Sequence, residues 1–334
     1  MPEQRLIVTG GAGFIGANLV HHLSEVAPDA QIAVVDKLTY AGNRRYIEKP
    51  LERENVSFHQ LDVADVAAMD RLFVEFQPTG VLHLAAESHV DRSISGPAAF
   101  IQSNIIGTFA LLELARQHWV QAEREGRFLH VSTDEVYGSL GADGAFTEDT
   151  PYDPSSPYSA SKASSDHLVR AYHRTFGLDV VITNCSNNYG PYQYPEKLIP
   201  VIIRNIRDKQ QLPVYGDGKN VRDWLYVADH CEAIWAVFER GASGRSYNIG
   251  TQNELENIEL VRTLCDLVDE VAGTKDSQEL ITFVTDRPGH DRRYAIDPTR
   301  IREELGWEPK HTFEDSIRHT VQWYLENFHP IWGV

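Results

Sequence analysis

The stretch Arg5-Leu6-Ile7-Val8-Thr9-Gly10-Gly11-Ala12-Gly13-Phe14-Ile15-Gly16 predicts the fold of this chain. It begins as a short apolar strand, turns through closely spaced glycines, and leads into a segment of helical character at residues 18–23. Glycines at such a turn let the backbone approach a pyrophosphate and let the helix pack closely on the strand. The N-terminus of the helix offers free N–H groups and the positive end of its dipole. A glycine-rich turn alone is a weak signal, but strand, turn and helix in this order predict a dinucleotide site.

The second predicted strand, Gln31–Val35, ends at Asp36, twenty residues beyond Gly16. A carboxylate at this position accepts hydrogen bonds from the adenosine ribose hydroxyls and repels a 2′-phosphate. The pattern therefore favours NAD over NADP, although the neighbouring Lys37 weakens that distinction.

Strands and helices continue to alternate through the first half of the chain. Strands are predicted at residues 56–61, 80–84, 127–132 and 179–184, and helices at 67–76 and 100–116. This alternation predicts an α/β protein with a Rossmann-type doubly wound parallel sheet and helices on both faces. Helical turns and loops replace the alternation beyond residue 184, which predicts a smaller α+β C-terminal domain. We expect a cofactor-binding domain over 1–184, joined by about 222–250, and a mainly substrate-binding domain over 185–334.

Composition and charge exclude several classes of partner. The formal charge of −17 over 334 residues argues against nonspecific binding to nucleic acid or to an anionic membrane. No apolar run approaches the roughly 20 residues that span a bilayer, and the first strand begins too early for a signal peptide. Three widely spaced cysteines, Cys185, Cys231 and Cys265, fit reduced thiols in a cytoplasm. We expect a cytoplasmic protein without a metal site, with His83 as a hydrogen-bonded core histidine.

Acid and base groups cluster after the strand at 127–132. Thr133, Asp134 and Glu135 fall at its carboxyl end, where open α/β sheets bind ligands. Tyr158 and Lys162 are four residues apart, so their side chains share one face of a helix. The ammonium, together with a positive nicotinamide ring, is expected to lower the phenol pKa from its ordinary value of about 10. Tyr158 can then take a proton from a substrate hydroxyl while hydride leaves the same carbon for NAD.

Oxidation of a simple alcohol does not require Asp134 and Glu135. A solvated acidic loop is the alternative interpretation, but their place at the strand end favours a second proton-transfer step. Two carboxyl groups with separated pKa values can divide the roles of acid and base. Elimination of water beside a newly formed ketone requires that division.

Several stretches resemble the extended short-chain dehydrogenase/reductase family, and the resemblance covers nearly the whole chain. It is carried by the glycine loop, by Asp36-Lys37-Leu38-Thr39-Tyr40-Ala41-Gly42-Asn43, by Ala85-Ala86-Glu87-Ser88-His89-Val90-Asp91-Arg92-Ser93-Ile94, and by Thr133-Asp134-Glu135. The last triplet is the most specific. Related epimerases of nucleotide sugars usually carry small or hydroxyl residues in place of Asp134 and Glu135. Within the family, the chain is therefore similar to the nucleotide-sugar 4,6-dehydratases.

The resemblance implies an internal redox cycle with tightly held NAD. Tyr158 would deprotonate the C4 hydroxyl of the sugar, with Thr133 bonded to the C4 oxygen and Lys162 to the nicotinamide ribose. Glu135 would then remove the C5 proton while Asp134 protonates the departing C6 hydroxyl. The sequence itself shows that two carboxyl groups are available and leaves their exact division open.

The resemblance also implies the ligand-binding residues. The cofactor would contact Gly10, Gly13, Phe14, Ile15, Gly16, Asp36, Lys37, Leu38, Thr39, Asp62, Val63, Leu84, Ala85, Ala86, Ser103, Tyr158, Lys162 and Asn188. The substrate would contact Ser88, Thr133, Asn187, Lys197, Leu198, Pro213, Tyr215, Arg222, Asn257, Arg287 and His290. Arg222 and Arg287 are the expected diphosphate ligands, since a guanidinium fork matches phosphate geometry.

The resemblance implies a dehydratase that acts on a dTDP-hexose, and three alternatives stay open. One is a dehydratase acting on a UDP- or GDP-hexose, because the shape of the base pocket cannot be derived from residue types. Another is a 4-epimerase, which would not need Asp134 and Glu135. The third is a catalytically silent NAD-binding regulator of the same fold, which would be expected to lack Tyr158 or Lys162. A homodimer is the default expectation for such a chain.

Overall fold

The computed structural model of this chain describes residues 4–286 and 290–332. In chain order its strands are β1 (Arg5–Thr9), β2 (Gln31–Val35), β3 (Val56–His59), β4 (Gly80–His83), β5 (Arg127–Thr133), β6 (Val180–Cys185), β7 (Asn187–Tyr189), β8 (Leu212–Tyr215), β9 (Val221–Tyr226), β10 (Ser246–Ile249), β11 (Glu254–Glu256) and β12 (Ile281–Val284). The α-helices are α1 (Phe14–Val26), α2 (Val66–Phe76), α3 (Val90–Ser95), α4 (Ala98–Phe100), α5 (Gly107–Ala115), α6 (Pro157–Phe176), α7 (Leu198–Arg207), α8 (Val227–Arg240), α9 (Asn257–Ala272), α10 (Thr299–Leu305) and α11 (Phe313–Trp332). Single 3₁₀ turns lie at Arg44–Ile47, Pro50–Glu52, Asp134–Tyr137 and Ser277–Leu280.

The main sheet has seven strands in the order β10-β6-β5-β4-β1-β2-β3, and every neighbouring pair is parallel. This arrangement confirms the predicted doubly wound α/β fold. The predicted strands in the first half differ from the observed ones by two residues or fewer at each end, as expected where hydrogen-bond criteria decide the boundary.

The strand order reverses between β1 and β4. The chain proceeds from β1 outward to β2 and β3, then crosses back and adds β4 on the opposite side of β1. In open α/β sheets the loops that leave such adjacent strands diverge, and a crevice opens at their carboxyl ends. The topology therefore places the ligand-binding crevice between the glycine turn after β1 and the segment after β4.

The hydrophobic core covers both faces of the main sheet. Side chains alternate along each strand, so that Leu6 and Val8 belong to one core cluster and Ile7 to the other. Strands buried on both faces need apolar residues at successive positions, which explains their uninterrupted apolar sequences. His83 is the polar exception in β4, and its two ring nitrogens lie 2.7 and 2.9 Å from the hydroxyls of Thr9 and Thr108. The prediction of a hydrogen-bonded core histidine is confirmed.

Two small sheets come from the second half of the chain. In one, β9 pairs with β7 in parallel and with β11 in antiparallel orientation; in the other, β8 and β12 are parallel. Strand β10, which follows β9 in the chain, lies at the edge of the main sheet and pairs with β6. The division into domains at residue 184 stays a prediction, and β10 lies inside the range 222–250 that we expected to join the first domain.

One continuous helical stretch, Ala98–Val120, is long and apolar enough to cross a membrane by length and composition. Its most apolar window has a mean hydropathy of 1.4, and 56% of that window is buried inside the protein. It contains α4 and α5 joined by a π-helical segment, Ile101–Ile106, and ends in a second one, Arg116–Val120. A helix buried to this extent is expected in the core of a globular protein.

Candidate active site

A cavity of about 310 Å³ lies at the carboxyl ends of the main-sheet strands. All five predicted catalytic residues line it: Thr133, Asp134, Glu135, Tyr158 and Lys162. So do most of the residues expected to bind the cofactor, namely Gly10, Gly13, Phe14, Ile15, Gly16, Asp36, Lys37, Thr39, Val63, Leu84, Ala85, Ala86, Ser103 and Asn188. The tertiary structure thus brings residues from both ends of the first 190 positions into one crevice.

The glycine turn after β1 forms the floor of the crevice. Gly10 has a φ of +67°, and a Cβ at this position would lie 2.7 Å from the backbone nitrogen of Ala85. A Cβ on Gly16 would overlap the carbonyl oxygen of Gly10. Only glycine fits these positions, because the turn is left-handed and the helix starts directly against it. The cradle that results, with the N-terminus of α1 beside it, suits the pyrophosphate of a dinucleotide.

Asp36 lies at the end of β2 with both carboxylate oxygens held by the backbone. Its Oδ2 accepts a hydrogen bond from the Ala12 N–H at 3.0 Å, and its Oδ1 accepts one from Leu38 at 2.8 Å. Burial raises the pKa of Asp36, and these N–H donors oppose that rise. Each oxygen retains a lone pair for a ribose hydroxyl. The carboxylate is therefore oriented toward the cavity, as a ribose acceptor must be.

The Lys37 side chain contacts two neighbouring residues, Ser103 and Asp62. Its ammonium donates to Ser103 Oγ at 2.8 Å and lies 3.6 Å from Asp62 Oδ2. These contacts explain how a lysine beside Asp36 can coexist with a preference for NAD. Leu38 and Asp62 themselves do not line the cavity in the described residues, although both contact residues that do.

Helix α6 carries Tyr158 and Lys162, and its first turn is well specified by the sequence. Ser156 and Ser159 form a reciprocal capping box, and Pro157 occupies the first helical position. The start of the helix is therefore set directly before Tyr158. Both Tyr158 and Lys162 are buried, as expected from their spacing of four residues.

Burial shifts the pKa of both residues of this pair, and the expected lowering of the phenol pKa by the ammonium and a nicotinamide ring stays a prediction. Burial raises the pKa of Tyr158 well above its ordinary value, and the nearby Glu135 raises it further. A hydrogen bond with Thr133 works in the opposite direction but is outweighed. The Lys162 ammonium donates to the Val131 carbonyl at 2.8 Å and lies 3.3 Å from His130 Nε2. Its own pKa falls to about 8 through burial.

Asp134 and Glu135 occupy the short turn that follows β5. The Thr133 hydroxyl caps this turn by accepting the Glu135 N–H. Asp134 is 2% exposed, and within the described residues its Oδ2 has no hydrogen-bond partner. Burial raises the pKa of Asp134 well above its ordinary value, and the nearby charges of Glu135 and Asp223 add to that rise. These effects favour the protonated form of Asp134, the form in which a carboxyl group acts as a general acid.

Three residues expected to contact the substrate also line the cavity: Ser88, Asn187 and Lys197. The Lys197 ammonium donates to the Ser88 carbonyl at 3.1 Å, so it links the segment after β4 to the N-terminus of α7. Among the described residues, Asn187 Oδ1 and the neighbouring Ser186 Oγ are buried without a hydrogen-bond partner. Buried polar atoms of this kind are normally paired, so they mark a polar ligand-binding surface.

Other expected substrate ligands lie outside this cavity: Leu198, Pro213, Tyr215, Arg222, Asn257 and His290. Arg222 is buried, donates to the carbonyls of Val221 and Asp291, and lies 4.3 Å from the Tyr294 ring centroid. Tyr215 and His290 make an edge contact at 6.3 Å. Arg287 lies outside the described residues, so its pairing with Arg222 stays a prediction, as do the other roles in this group.

The structure adds cavity residues that were not predicted from the sequence. Tyr40, Tyr194 and Glu196 line the mouth, where the Arg92 guanidinium lies 3.5 Å from the Tyr40 ring centroid and 3.2 Å from a Glu196 oxygen. The buried free thiol of Cys185 also lines the cavity. These residues come from distant parts of the chain, namely the loop after β2, the loop that carries both Tyr194 and Glu196, and the end of β6, so their spacing in the sequence did not indicate them.

Comparison with known proteins agrees with this geometry. The family model described as GDP-mannose 4,6 dehydratase matches residues 7–320. The dTDP-glucose 4,6-dehydratase of Neisseria meningitidis serogroup B is 55% identical, with 97% of this chain and 94% of that protein covered. The crystal structure of the Streptomyces venezuelae dTDP-glucose 4,6-dehydratase DesIV, with NAD bound, has a TM-score of 0.92 and 46% identity over 99% of both chains. The Bacillus anthracis dTDP-glucose 4,6-dehydratase in complex with NAD has a TM-score of 0.88 and 44% identity, again over 99% of both chains.

Proposed function

We propose that this chain, which belongs to the GDP-mannose 4,6 dehydratase family, is an NAD-dependent dTDP-glucose 4,6-dehydratase. It is a hydro-lyase that converts dTDP-glucose to dTDP-4-keto-6-deoxy-glucose and water, a step toward deoxysugars of the rhamnose type. One observation carries the proposal: a buried Asp134 with a raised pKa and its neighbour Glu135 share a cavity with Tyr158 and Lys162. Relatives with this activity at more than 50% identity support the choice of substrate.

The glycine cradle and Asp36 fit NAD, and Lys162 and Ser103 would extend its binding surface toward the reacting end of the cavity. When bound, NAD supplies a hydride acceptor that is regenerated within each turnover and, in its oxidised form, a positive ring charge. Tyr158 needs such a charge, because burial favours its neutral phenol.

The protein's own groups divide the proton transfers. Tyr158 takes the proton of the C4 hydroxyl as the 4-ketone forms, while Thr133 holds the C4 oxygen. The ketone makes the C5 hydrogen acidic, and Glu135 removes it. Asp134 delivers its proton to the C6 hydroxyl, which departs as water. The high pKa of Asp134 supports its role as the acid, since an ionised Asp134 would have no proton to give.

Ser88, Asn187 and Lys197 are proposed to bind the nucleotide sugar at the cavity, with Arg222 and Arg287 on its diphosphate. The first three line the cavity next to the catalytic groups, which supports that orientation of the sugar. The proposal for the arginines depends on guanidinium chemistry and on the family resemblance.

A cytoplasmic homodimer completes the proposal. Three large apolar residues of the Ala98–Val120 stretch, Ile101, Ile106 and Phe109, are 40–47% exposed. Exposed apolar side chains on a helix whose other face is buried suit an isologous contact with a second copy of the chain. This surface supports a dimer formed around that stretch.

The decisive experiment follows a deuterium label. Purified protein is expected to contain NAD and to convert dTDP-glucose deuterated at C4 into a product that carries the deuterium at C6 and has lost one water, as measured by mass spectrometry and NMR. Tyr158→Phe should lower the rate by about 100-fold or more, because a positioned base contributes that much. Tyr172→Phe is the matched control, since Tyr172 lies on the same helix with its hydroxyl on Glu113.

Two results would contradict the proposal. Deuterium released into solvent would show that the hydride is not returned within the same site. A product that retains every oxygen of the substrate would indicate epimerisation or simple oxidation instead of dehydration.

A further inference from the structure

A third polar residue continues the face of α6 that carries Tyr158 and Lys162. Asp166 is four residues beyond Lys162, so the three side chains follow one another at successive turns. Asp166 is completely buried, and Lys162 is 4% exposed. No step assigned above uses Asp166. A buried carboxylate is costly unless it is paired, so its position behind Lys162 calls for an explanation.

His130 connects the two residues from the neighbouring strand β5. Its Nε2 lies 3.3 Å from the Lys162 ammonium and 3.3 Å from Asp166 Oδ1. Burial, reinforced by the charge of Lys162, lowers the pKa of His130 to about 4, so the imidazole is neutral at pH 7. A neutral imidazole can accept from Lys162 through Nε2 in one tautomer or donate to Asp166 from the same atom in the other.

The other oxygen of Asp166 is surrounded by donors. Its Oδ2 accepts hydrogen bonds from Ser132 Oγ at 2.9 Å, from the Tyr152 hydroxyl at 2.8 Å and from Asn184 Nδ2 at 3.4 Å. Burial alone would raise the pKa of Asp166, but His130, Lys162 and Tyr152 together hold it below its ordinary value. Asp166 is therefore a carboxylate at neutral pH.

We propose that Asp166 is a positioning residue of the reaction: with His130 Nε2 3.3 Å from each group, it supplies the negative charge that keeps the buried Lys162 side chain an ammonium ion. A buried ammonium ion is stable only beside a compensating charge. Two groups are placed so that they would favour the charged form of Lys162: Asp166 and the Cys185 thiol. Burial keeps the thiol neutral, so the compensating charge comes from Asp166. The inference rests on the proposed function, since Lys162 matters through its part in that reaction.

Other titratable groups face this network from each element around it. Helix α6 contributes Tyr158 and Arg170, and β4 contributes His83. Strand β5 and the turn after it contribute His130, Asp134 and Glu135, and β6 contributes Cys185. The phenols of Tyr137 and Tyr152 lie beside Asp166. Asp166 is the carboxylate of this set that lies behind Lys162, on the side away from Tyr158 along α6. Its removal therefore changes the charge of Lys162 without removing a group that would contact the sugar.

The charge of Lys162 can be measured directly. The chain has eight lysines, so protein labelled with ¹³C at lysine Cε gives a small set of NMR signals, and Lys162→Arg identifies the signal of interest. We expect a titration midpoint near 8 in the wild type. Asp166→Asn should lower the midpoint by about one pH unit or more, the usual effect of a close opposite charge. Ser165→Ala, the neighbouring buried hydroxyl that bonds the Asn104 carbonyl, should leave it unchanged.

The second readout is the pH profile of C4 oxidation in a single turnover with dTDP-glucose. Asp166→Asn should move the alkaline limb of this profile, which follows the charge of Lys162, to lower pH. In steady-state assays it should reduce kcat more than it changes KM. Asp166→Glu should restore much of the profile. If Asp166→Asn does not fold, Asp166→Ser, which leaves room for a water molecule, carries the same expectations.

An unchanged Lys162 midpoint, or a loss of activity by the same factor at every pH, would overturn the proposal. The NMR titration needs no substrate. It therefore tests Asp166 even if the wild-type protein makes no product from dTDP-glucose, a result that would refute the proposed function instead.

Discussion

Asp134 and Asp166 are two buried aspartates whose pKa values are shifted in opposite directions. Both are almost inaccessible to solvent, and both lie near the end of β5. Asp134 has one weak donor, the Thr133 hydroxyl at 3.4 Å, and like-charged neighbours, so burial raises its pKa. Asp166 Oδ2 accepts hydrogen bonds from several donors, and His130 and Lys162 lie on the Oδ1 side of the carboxylate. Together these groups lower the pKa of Asp166. Burial therefore sets the size of the electrostatic effect, whereas the arrangement of donors sets its direction.

The difference matches two separate tasks. A carboxyl group kept neutral can give a proton to a leaving hydroxyl, and a carboxylate kept ionised can hold a cation in place. The protein obtains both from one residue type about 30 positions apart in the sequence, because the surroundings of each are built by different elements.

The largest expected effect comes from removing the proton of Asp134. Asp134→Asn keeps the shape and the neutral charge but has no acid to transfer, so elimination should slow by about 100- to 10,000-fold. Oxidation at C4 should persist, and reduced cofactor should accumulate on the enzyme, which its absorbance measures. Asp153→Asn, at an exposed position, is the control. Full turnover by Asp134→Asn would exclude Asp134 as the acid.

The pH dependence of stability should separate the two aspartates. Asp134 binds its proton more tightly in the folded state, so its contribution to stability is present below the ordinary pKa of 3.8 and is lost as pH rises. The free energy of unfolding of Asp134→Asn, relative to wild type, should therefore increase from about pH 4 upward, by at most about 1.4 kcal/mol per pH unit.

Asp166 should show the opposite sign. Its contribution is present above 3.8 and is lost only as pH falls through the lowered pKa. The deficit of Asp166→Asn should therefore be constant from about pH 5 to 8 and shrink in more acidic solution. Urea denaturation at a series of pH values measures both curves, and parallel curves for the two variants would refute the contrast.

The smallest expected effect concerns a single donor to Asp166. Tyr152→Phe removes a hydrogen bond to a carboxylate and should lower the free energy of unfolding by about 2 kcal/mol. Tyr137→Phe removes a bond to the neutral amide of Asn248 and should cost about 1 kcal/mol. Chemical denaturation compares the two, and equal losses would show that Asp166 is not ionised.

Local sequence patterns identified several of the residues that line the cavity. The glycine turn, Asp36 and the pair Tyr158 and Lys162 each follow from short-range geometry, and all of them line the cavity. Asp166 has the same spacing of four residues from Lys162 and could have been found by continuing the helical face. His130 could not, because its approach to Lys162 depends on how β5 packs against α6.

Fewer of the residues expected to contact the substrate line the cavity than of those expected to contact the cofactor. In the structure the Arg222 guanidinium bonds backbone carbonyls and packs on Tyr294, and its expected contact with the diphosphate stays a prediction. The cluster of Tyr40, Arg92 and Glu196 at the cavity mouth was not predicted at all. Tyr40 and Glu196 lie in loops and Arg92 in the short helix α3, and the positions of these segments relative to one another are set by long-range packing.

By itself, the sequence determined the parallel α/β sheet, the dinucleotide turn and the identity of the acid and base groups, because these depend on interactions within a few residues or on residue type. Only the tertiary structure decided the direction in which the pKa of each carboxyl group is shifted. The pKa of Asp134 or Asp166 depends on desolvation and on donors brought from other strands and helices, and neither quantity exists until the chain is folded.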